Sequence, residues 1–463
     1  MDEGSLGVGH YTVARKTKKS SKNPYLSSYL IILFITSRKE SEMQREEKRI
    51  TKNGIEIYSY KNPSIHGFYI SLFLRAGSMY EKHQGITHFL EHISIRNVNA
   101  VMHGALYPTL DKYGIEFNAT TYTEMVQFYI SGATENFGIS SEIIAKILSP
   151  IVLSAKDISL ERDRIKAEIR EGDDLTALST LSGGIVHEGT KLANLITGTV
   201  GSVNKINKAL LEEYRRSVEN RSNIFFYVTG CFDDGDLDKL AGEIDKYPLD
   251  DGVKNDNIAP KSAKFGCRDS HVHIKNAEFT MLRFTLDLDM TRITLAETDI
   301  LYDVLFSGYN SLFFSEMSEK RGLCYDIPAS IERYSNIGTL TFSFEVRPSL
   351  LYDAVETVIS LLASFKNRLL DESQMMKAGY VTNSPMLYDS VGETNFAFAY
   401  DNHIMNAAYR TIDERADSYA RVTPERIREI ANLVFRPENL TLAIKGNKKK
   451  INTDDLEQII NKL

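Results

Sequence analysis

Only three cysteines occur in 463 residues, Cys231, Cys267 and Cys324, far apart and without a C-x-x-C pair. That excludes a disulfide framework and a cysteine zinc knuckle, and the simplest expectation is a reducing compartment, the cytoplasm. Basic residues are not in surplus either. The net charge is −7, which gives no support for nucleic acid as a partner, since phosphate binding requires a clustered cationic surface. The N-terminal apolar run, Tyr29 to Ile35, reaches about half of the ~20 residues that a membrane span needs, so there is no firm evidence for a membrane. What is present is 42% hydrophobic and 25% charged residues, the composition of a soluble globular protein. The length exceeds one ordinary core and suits two domains.

Residues 1–45 differ from the remainder. Arg15 to Lys22 is basic and precedes the apolar run, as in the first regions of a signal peptide, but no A-x-A-like cleavage site follows and Arg38 to Arg49 is densely charged. Three readings compete: a targeting or membrane-surface segment, a disordered leader, and translated upstream sequence ahead of a start at Met43. The last is preferred.

From Ile50 the pattern is regular. Ile55–Tyr60 and Phe68–Leu74 alternate as strands do, and after the turn residues Ala76-Gly77-Ser78 a helix carries His88-Phe89-Leu90-Glu91-His92. At helical spacing His88 and His92 share a face, and Glu91 projects beside them. Two imidazoles and a carboxylate converging on one point suit a catalytic zinc, with the carboxylate able to take a proton from water; the bland alternative is a half-buried histidine pair. Next are expected a helix ending near Lys112-Tyr113-Gly114, strands Glu116–Thr121 and Met125–Gly132, and a helix around Ser141–Ile151. The charged stretch from Ser159 to Glu171 reads as a long helix with Glu161, Glu168 and Glu171 close to one face. Such a face is ordinarily solvated.

The second half repeats the first. Lys112-Tyr113-Gly114 and the strands after it are answered by Lys320-Arg321-Gly322, strands Pro328–Tyr334 and Gly338–Arg347, and a helix Leu350–Ser364; Asn223–Gly230 is answered by Asn439–Gly446. The expected fold is α+β: two homologous domains, 46–250 and 271–463, each a mostly antiparallel sheet covered by helices and joined by a linker, 251–270, of Asp, Asn, Gly and Pro composition. Where the zinc helix should recur, Leu295–Leu301 has no histidine, and Gly379 stands at the position of Glu168. A duplicated fold with carboxylate and histidine helices in one copy alone is hard to explain as surface decoration. His271 and His273 lack an evident acidic or cysteine partner and are read as structural.

His88-Phe89-Leu90-Glu91-His92 followed by Glu168 resembles the inverted-motif zinc metallopeptidases: the pitrilysin and insulysin group, the mitochondrial processing peptidase β subunit and their bacterial half-length relatives. Leu110–Gly114 with Phe117–Thr120, the Glu161–Glu168 helix and Glu319–Tyr325 extend the resemblance from about Ile50 to the C-terminus. It implies that His88, His92 and Glu168 bind Zn²⁺, that Glu91 is the general base, and that Glu161 supports catalysis from behind the ligands. It further implies that the strand at Asn118 and Ala119 binds an extended peptide substrate, with Tyr325 contacting substrate; an ordinary sheet edge is the alternative. Many relatives have an Arg seven residues before that Tyr, where this chain has Ser318. The implication is a heterodimer whose homologous partner subunit supplies an Arg/Tyr pair, processing small peptides. Ser94-Ile95-Arg96 also departs from the Lys-Gly-Thr common after the motif. The competing function is a non-catalytic structural or assembly subunit of the same fold.

Overall fold

Unbroken apolar runs become central strands and alternating ones become edges, because a central strand is covered on both faces. A computed structural model describes residues 45–171, 174–268 and 271–463; the reading of residues 1–45 lies, but for its last residue, outside these. In the first half, strands β1 (Glu47–Ile50), β2 (Glu56–Lys61), β3 (Gly67–Leu74), β4 (Glu116–Thr121), β5 (Val126–Ala133) and β6 (Ile224–Gly230) form one sheet in the order β1-β2-β6-β3-β5-β4. Every residue of central β6 is buried, whereas edge strand β4 alternates between exposed and half-buried. Only β2 and β6 run parallel.

The second half repeats this arrangement with β7 (Val272–Asn276), β8 (Thr280–Leu288), β9 (Ala329–Arg333), β10 (Gly338–Val346) and β11 (Leu440–Gly446), in the order β7-β11-β8-β10-β9. Again one pair, β7 with β11, is parallel and the others are antiparallel. The fold is thus mixed α+β, with two sheet-plus-helix domains.

Helices α1 (Ile86–Val101), α2 (Leu106–Tyr113), α3 (Phe137–Ala145) and α4 (Ala155–Arg170) cover one face of the first sheet around a core that includes Phe68, Ile70, Phe89, Ile93 and Ile165. The helix expected at Ser141–Ile151 starts earlier, at Phe137, and ends in a 3₁₀ turn, Lys146–Leu148. Phe137 is buried against Phe68, and Pro150 disfavours helical backbone before it. Strand β1 is a second departure, because it forms inside the charged stretch. An edge strand tolerates charge: Lys48 pairs with Glu56 on β2 at 2.5 Å, and Arg49 with Asp238 at 2.6 Å.

The two halves exchange a helix. Helix α5 (Asp174–Val186) crosses from the first half onto β8 and β11, where Ser182 Oγ meets Thr285 Oγ1 at 3.0 Å. Reciprocally, α6 (Val391–Phe398) of the second half lies on β3 and β6, burying Phe398 with Tyr60, Phe73, Phe225 and Tyr227. Buried Asn395 fixes that docking. Its amide donates to the Tyr227 carbonyl at 2.9 Å and the Tyr69 carbonyl at 3.2 Å, and its oxygen accepts from Ser71 Oγ at 2.7 Å.

No helix among the described residues is long and apolar enough to cross a membrane. His271 donates through Nδ1 to the Leu440 carbonyl at 3.0 Å, and its backbone N–H donates to Glu457.

Candidate metal centre

Gly85 begins α1 in the left-handed region, φ 85°, and a Cβ there would fall 2.7 Å from the Thr197 carbonyl, so glycine is required on both counts. The helix has no capping side chain at that position. Instead Glu81 accepts from the N–H groups of Gly85 at 2.7 Å and Thr87 at 3.2 Å, and from Thr87 Oγ1 at 3.0 Å. A carboxylate on the first-turn N–H groups satisfies otherwise orphaned donors. Burial pushes its carboxyl up to about 7 even against those hydrogen bonds. Sequence reasoning missed Glu81; the signal available was an acid four residues before a helix-initiating glycine.

One turn apart on α1, the rings of His88 and His92 stand 4.6 Å apart at 65°. Helix α4 starts with a Ser154–Asp157 capping box and runs alongside, bringing Glu168 to them. Glu168 Oε2 lies 3.3 Å from His88 Nε2 and 3.5 Å from His92 Nε2, and one ligand atom from each of the three lies within 4.8 Å of the others. Zinc with bonds of ~2.0–2.1 Å sets tetrahedral ligands about 3.4 Å apart, so these two separations fit a zinc donor set. Glu168 remains 46% exposed, leaving the centre open on that side.

The remaining ring nitrogens are committed elsewhere. His92 Nδ1 meets Glu161 Oε1 at 2.9 Å, and Arg96 Nη1 donates to the other oxygen of Glu161 at 3.0 Å. Glu161 is only 3% exposed. Burial opposes its charge, but His92, Arg164 and Arg96 hold its carboxyl below the usual range. Arg96, noted in the sequence only as a departure, thereby acquires a role. Glu171 is exposed at the end of α4.

Glu91 Oε2 lies 3.6 Å from His88 Nδ1 and accepts from Thr121 Oγ1 at 2.7 Å. Burial works against its charge as well, yet His88 and Thr121 keep its carboxyl lowered. Conversely, burial pulls His88 down, while Glu91 and Glu168 more than reverse it and raise the imidazole above its ordinary value. Thr121 ends β4, which pairs with β5 on one side and is the last strand of its sheet. Asn118 is exposed on this strand and Ala119 half-buried. Tyr325 is 94% exposed on a second-half loop and is not brought to the metal centre among the described residues; its carbonyl accepts from the Ser318 hydroxyl at 3.4 Å.

The second copy turns the same scaffold to other ends. Its counterpart of α1, the helix Leu295–Phe306, uses Asp299 to pair with Arg333 and to accept from Tyr419 Oη at 2.7 Å. Around Gly379 the long carboxylate helix is reduced to four residues, Ala378–Val381.

Residues 56–191 match the family described as Insulinase (Peptidase family M16), and residues 205–378 match the Peptidase M16 inactive domain. The chain is similar to an uncharacterized zinc protease of Rickettsia felis, 26% identical over 351 residues, covering 73% of this chain and 82% of that protein. In fold it is similar to a protease from Helicobacter pylori, with a TM-score of 0.76 at 14% identity, covering 87% of this chain and 100% of that one. It is also similar in fold to a chain of Complex III2 from Candida albicans, with a TM-score of 0.73 at 14% identity over 89% of this chain and 99% of that one. Likeness of fold at 14% identity does not decide activity, and the side chains must. With a peptidase model on its first half and the inactive-domain model on its second, the chain belongs to peptidase family M16.

Proposed function

We propose that this chain is a zinc-dependent endopeptidase that cleaves peptides or extended segments, a small precursor peptide among them, together with a homologous partner subunit. The convergence of His88 and His92 on Glu168, with Glu91 alongside, carries this reading. Zinc, when bound by these three, supplies Lewis-acid polarisation of the scissile carbonyl and acidifies a water. Glu91 takes the proton of the attacking water and passes it to the leaving amine, and the Thr121 hydroxyl keeps its carboxylate aimed. Glu161, braced by Arg96, holds the His92 ring in the tautomer that leaves Nε2 free.

The free edge of β4 supports binding of an extended peptide as an added strand at Asn118 and Ala119, because main-chain pairing tolerates varied sequences. Its far end, Thr121, adjoins Glu91, so a peptide bound along it reaches the base. The bared Tyr325 and Ser318 in place of an Arg support a partner-supplied Arg/Tyr pair. Three free cysteines support the cytoplasm as its compartment.

Metal analysis and peptide hydrolysis of the wild type and Glu91→Gln, each with its partner subunit, test the reading. Zinc retained with hydrolysis abolished in Glu91→Gln fits the enzyme. A wild-type complex that cleaves no peptide leaves the assembly subunit as the function.

A further inference from the structure

The exchanged helices cover two different kinds of surface. On the first sheet, α6 meets an aromatic face, Phe73, Phe225 and Tyr227, and packs it closed. On the second sheet the register places Arg283, Thr285, Thr339, Thr341 and Glu332 on the corresponding face, and α5 leaves a cavity of ≈ 350 Å³ above them. That volume lies within the ~300–1,000 Å³ of small-molecule sites. Two opposite charges line it without meeting. Arg283 Nε is enclosed with no hydrogen-bond partner among the described residues, and Arg283 and Glu332 attract each other through space without forming an ion pair there.

Arg283 is half-buried, and leaving its enclosed Nε–H without an acceptor is costly; Glu332 lines the same cavity from the edge strand β9, where it is exposed. The remaining wall is hydroxyl-rich, with Ser182 from α5. His187, pushed down to about 4 by burial and by Arg268, contributes no charge at neutral pH. We propose that this cavity binds a small zwitterion, a short peptide or free amino acid, its carboxylate on Arg283 and the threonine hydroxyls and its ammonium on Glu332. Each end of such a ligand meets the opposite charge, which neither a simple anion nor a simple cation achieves. The wall also includes Thr123, two residues beyond the Thr121 that holds Glu91, and Thr197, whose carbonyl abuts Gly85 at the start of the zinc helix. The proposal stands whether or not the chain hydrolyses peptides.

The test is ligand-observed NMR titration of the full chain, carrying Glu91→Gln to prevent turnover, with alanylalanine, N-acetylalanine and alaninamide. Saturable binding of alanylalanine, weakened at least tenfold by either blocked analogue, is expected. Arg283→Met and Glu332→Gln each weaken it at least tenfold, and Thr341→Leu, which fills the cavity, abolishes it; His88→Ala leaves it unchanged. Should the charge variants misfold by circular dichroism, the analogue comparison and Thr341→Leu decide. Absence of saturable binding, equal binding of N-acetylalanine, or loss in His88→Ala overturns the proposal, the last placing the peptide at the metal centre.

Discussion

Glu161 Oε1 sits 2.9 Å from His92 Nδ1, on the ring edge opposite the one turned to Glu168. A carboxylate there orients the imidazole and makes Nε2 the better donor. Glu161→Gln keeps the side chain's shape and loses the charge, so zinc affinity falls about 10–100-fold. Competition with a chromogenic chelator measures it, and an unchanged affinity would sink the role.

Glu81 makes stability depend on pH. Its folded value of about 7 lies above the ordinary 4.5 of an unfolded glutamate, so the folded chain holds this proton longer. The stability so contributed is full below pH ~4.5 and is lost as pH rises through 7. Between pH 5 and 8 the unfolding free energy of the wild type therefore falls by about 2–3 kcal/mol relative to Glu81→Gln. Urea titrations at the two pH values, on both proteins, check the sign as well as the size.

Asn395 is the polar pin of an otherwise aromatic contact. Asn395→Leu leaves the Tyr227 and Tyr69 carbonyls and the Ser71 hydroxyl short of a partner, which costs about 3 kcal/mol. Chemical denaturation reads this out, and a loss below ~0.5 kcal/mol would mean that the aromatic packing alone secures the helix.

Ser318 yields a gain-of-function prediction. If a missing Arg limits the chain alone, Ser318→Arg raises its unpartnered peptidase activity tenfold or more, since one charge-assisted donor to developing negative charge is worth up to ~3 kcal/mol. An activity that rises only when the partner is added, and equally for both proteins, counts against Ser318 as the deficit.

Much of the scaffold was legible because its signals are local. Asn223–Gly230 and Asn439–Gly446 could be matched as repeats, and each supplies a non-edge strand, Ile224–Gly230 and Leu440–Gly446. Gly114 marks the end of a helix because it adopts the left-handed φ of 60° that the C-cap requires. The spacing of His88, Glu91 and His92 is a property of one helix, and the missing histidines of the second copy could be read from the repeat itself. The carboxylate cap from Glu81 and the strand at Glu47–Ile50 escaped notice because their reason lies in partners elsewhere: α1's bare N–H groups in one case, Glu56 and Asp238 in the other.

The His88–His92 spacing by itself is equally that of a half-buried histidine pair, because nothing within those five residues supplies a third ligand. The sequence by itself determined the duplicated α+β scaffold and put two imidazoles and a carboxylate on one helix face, since backbone periodicity acts over a few residues. Only the tertiary structure decided that α4 runs close enough for Glu168 to meet both Nε2 atoms, that Glu161 and Arg96 lock His92, and that each half lends a helix to the other's sheet. Those outcomes depend on packing between segments distant in the chain, where shape and pairing select the partner and no local pattern records it.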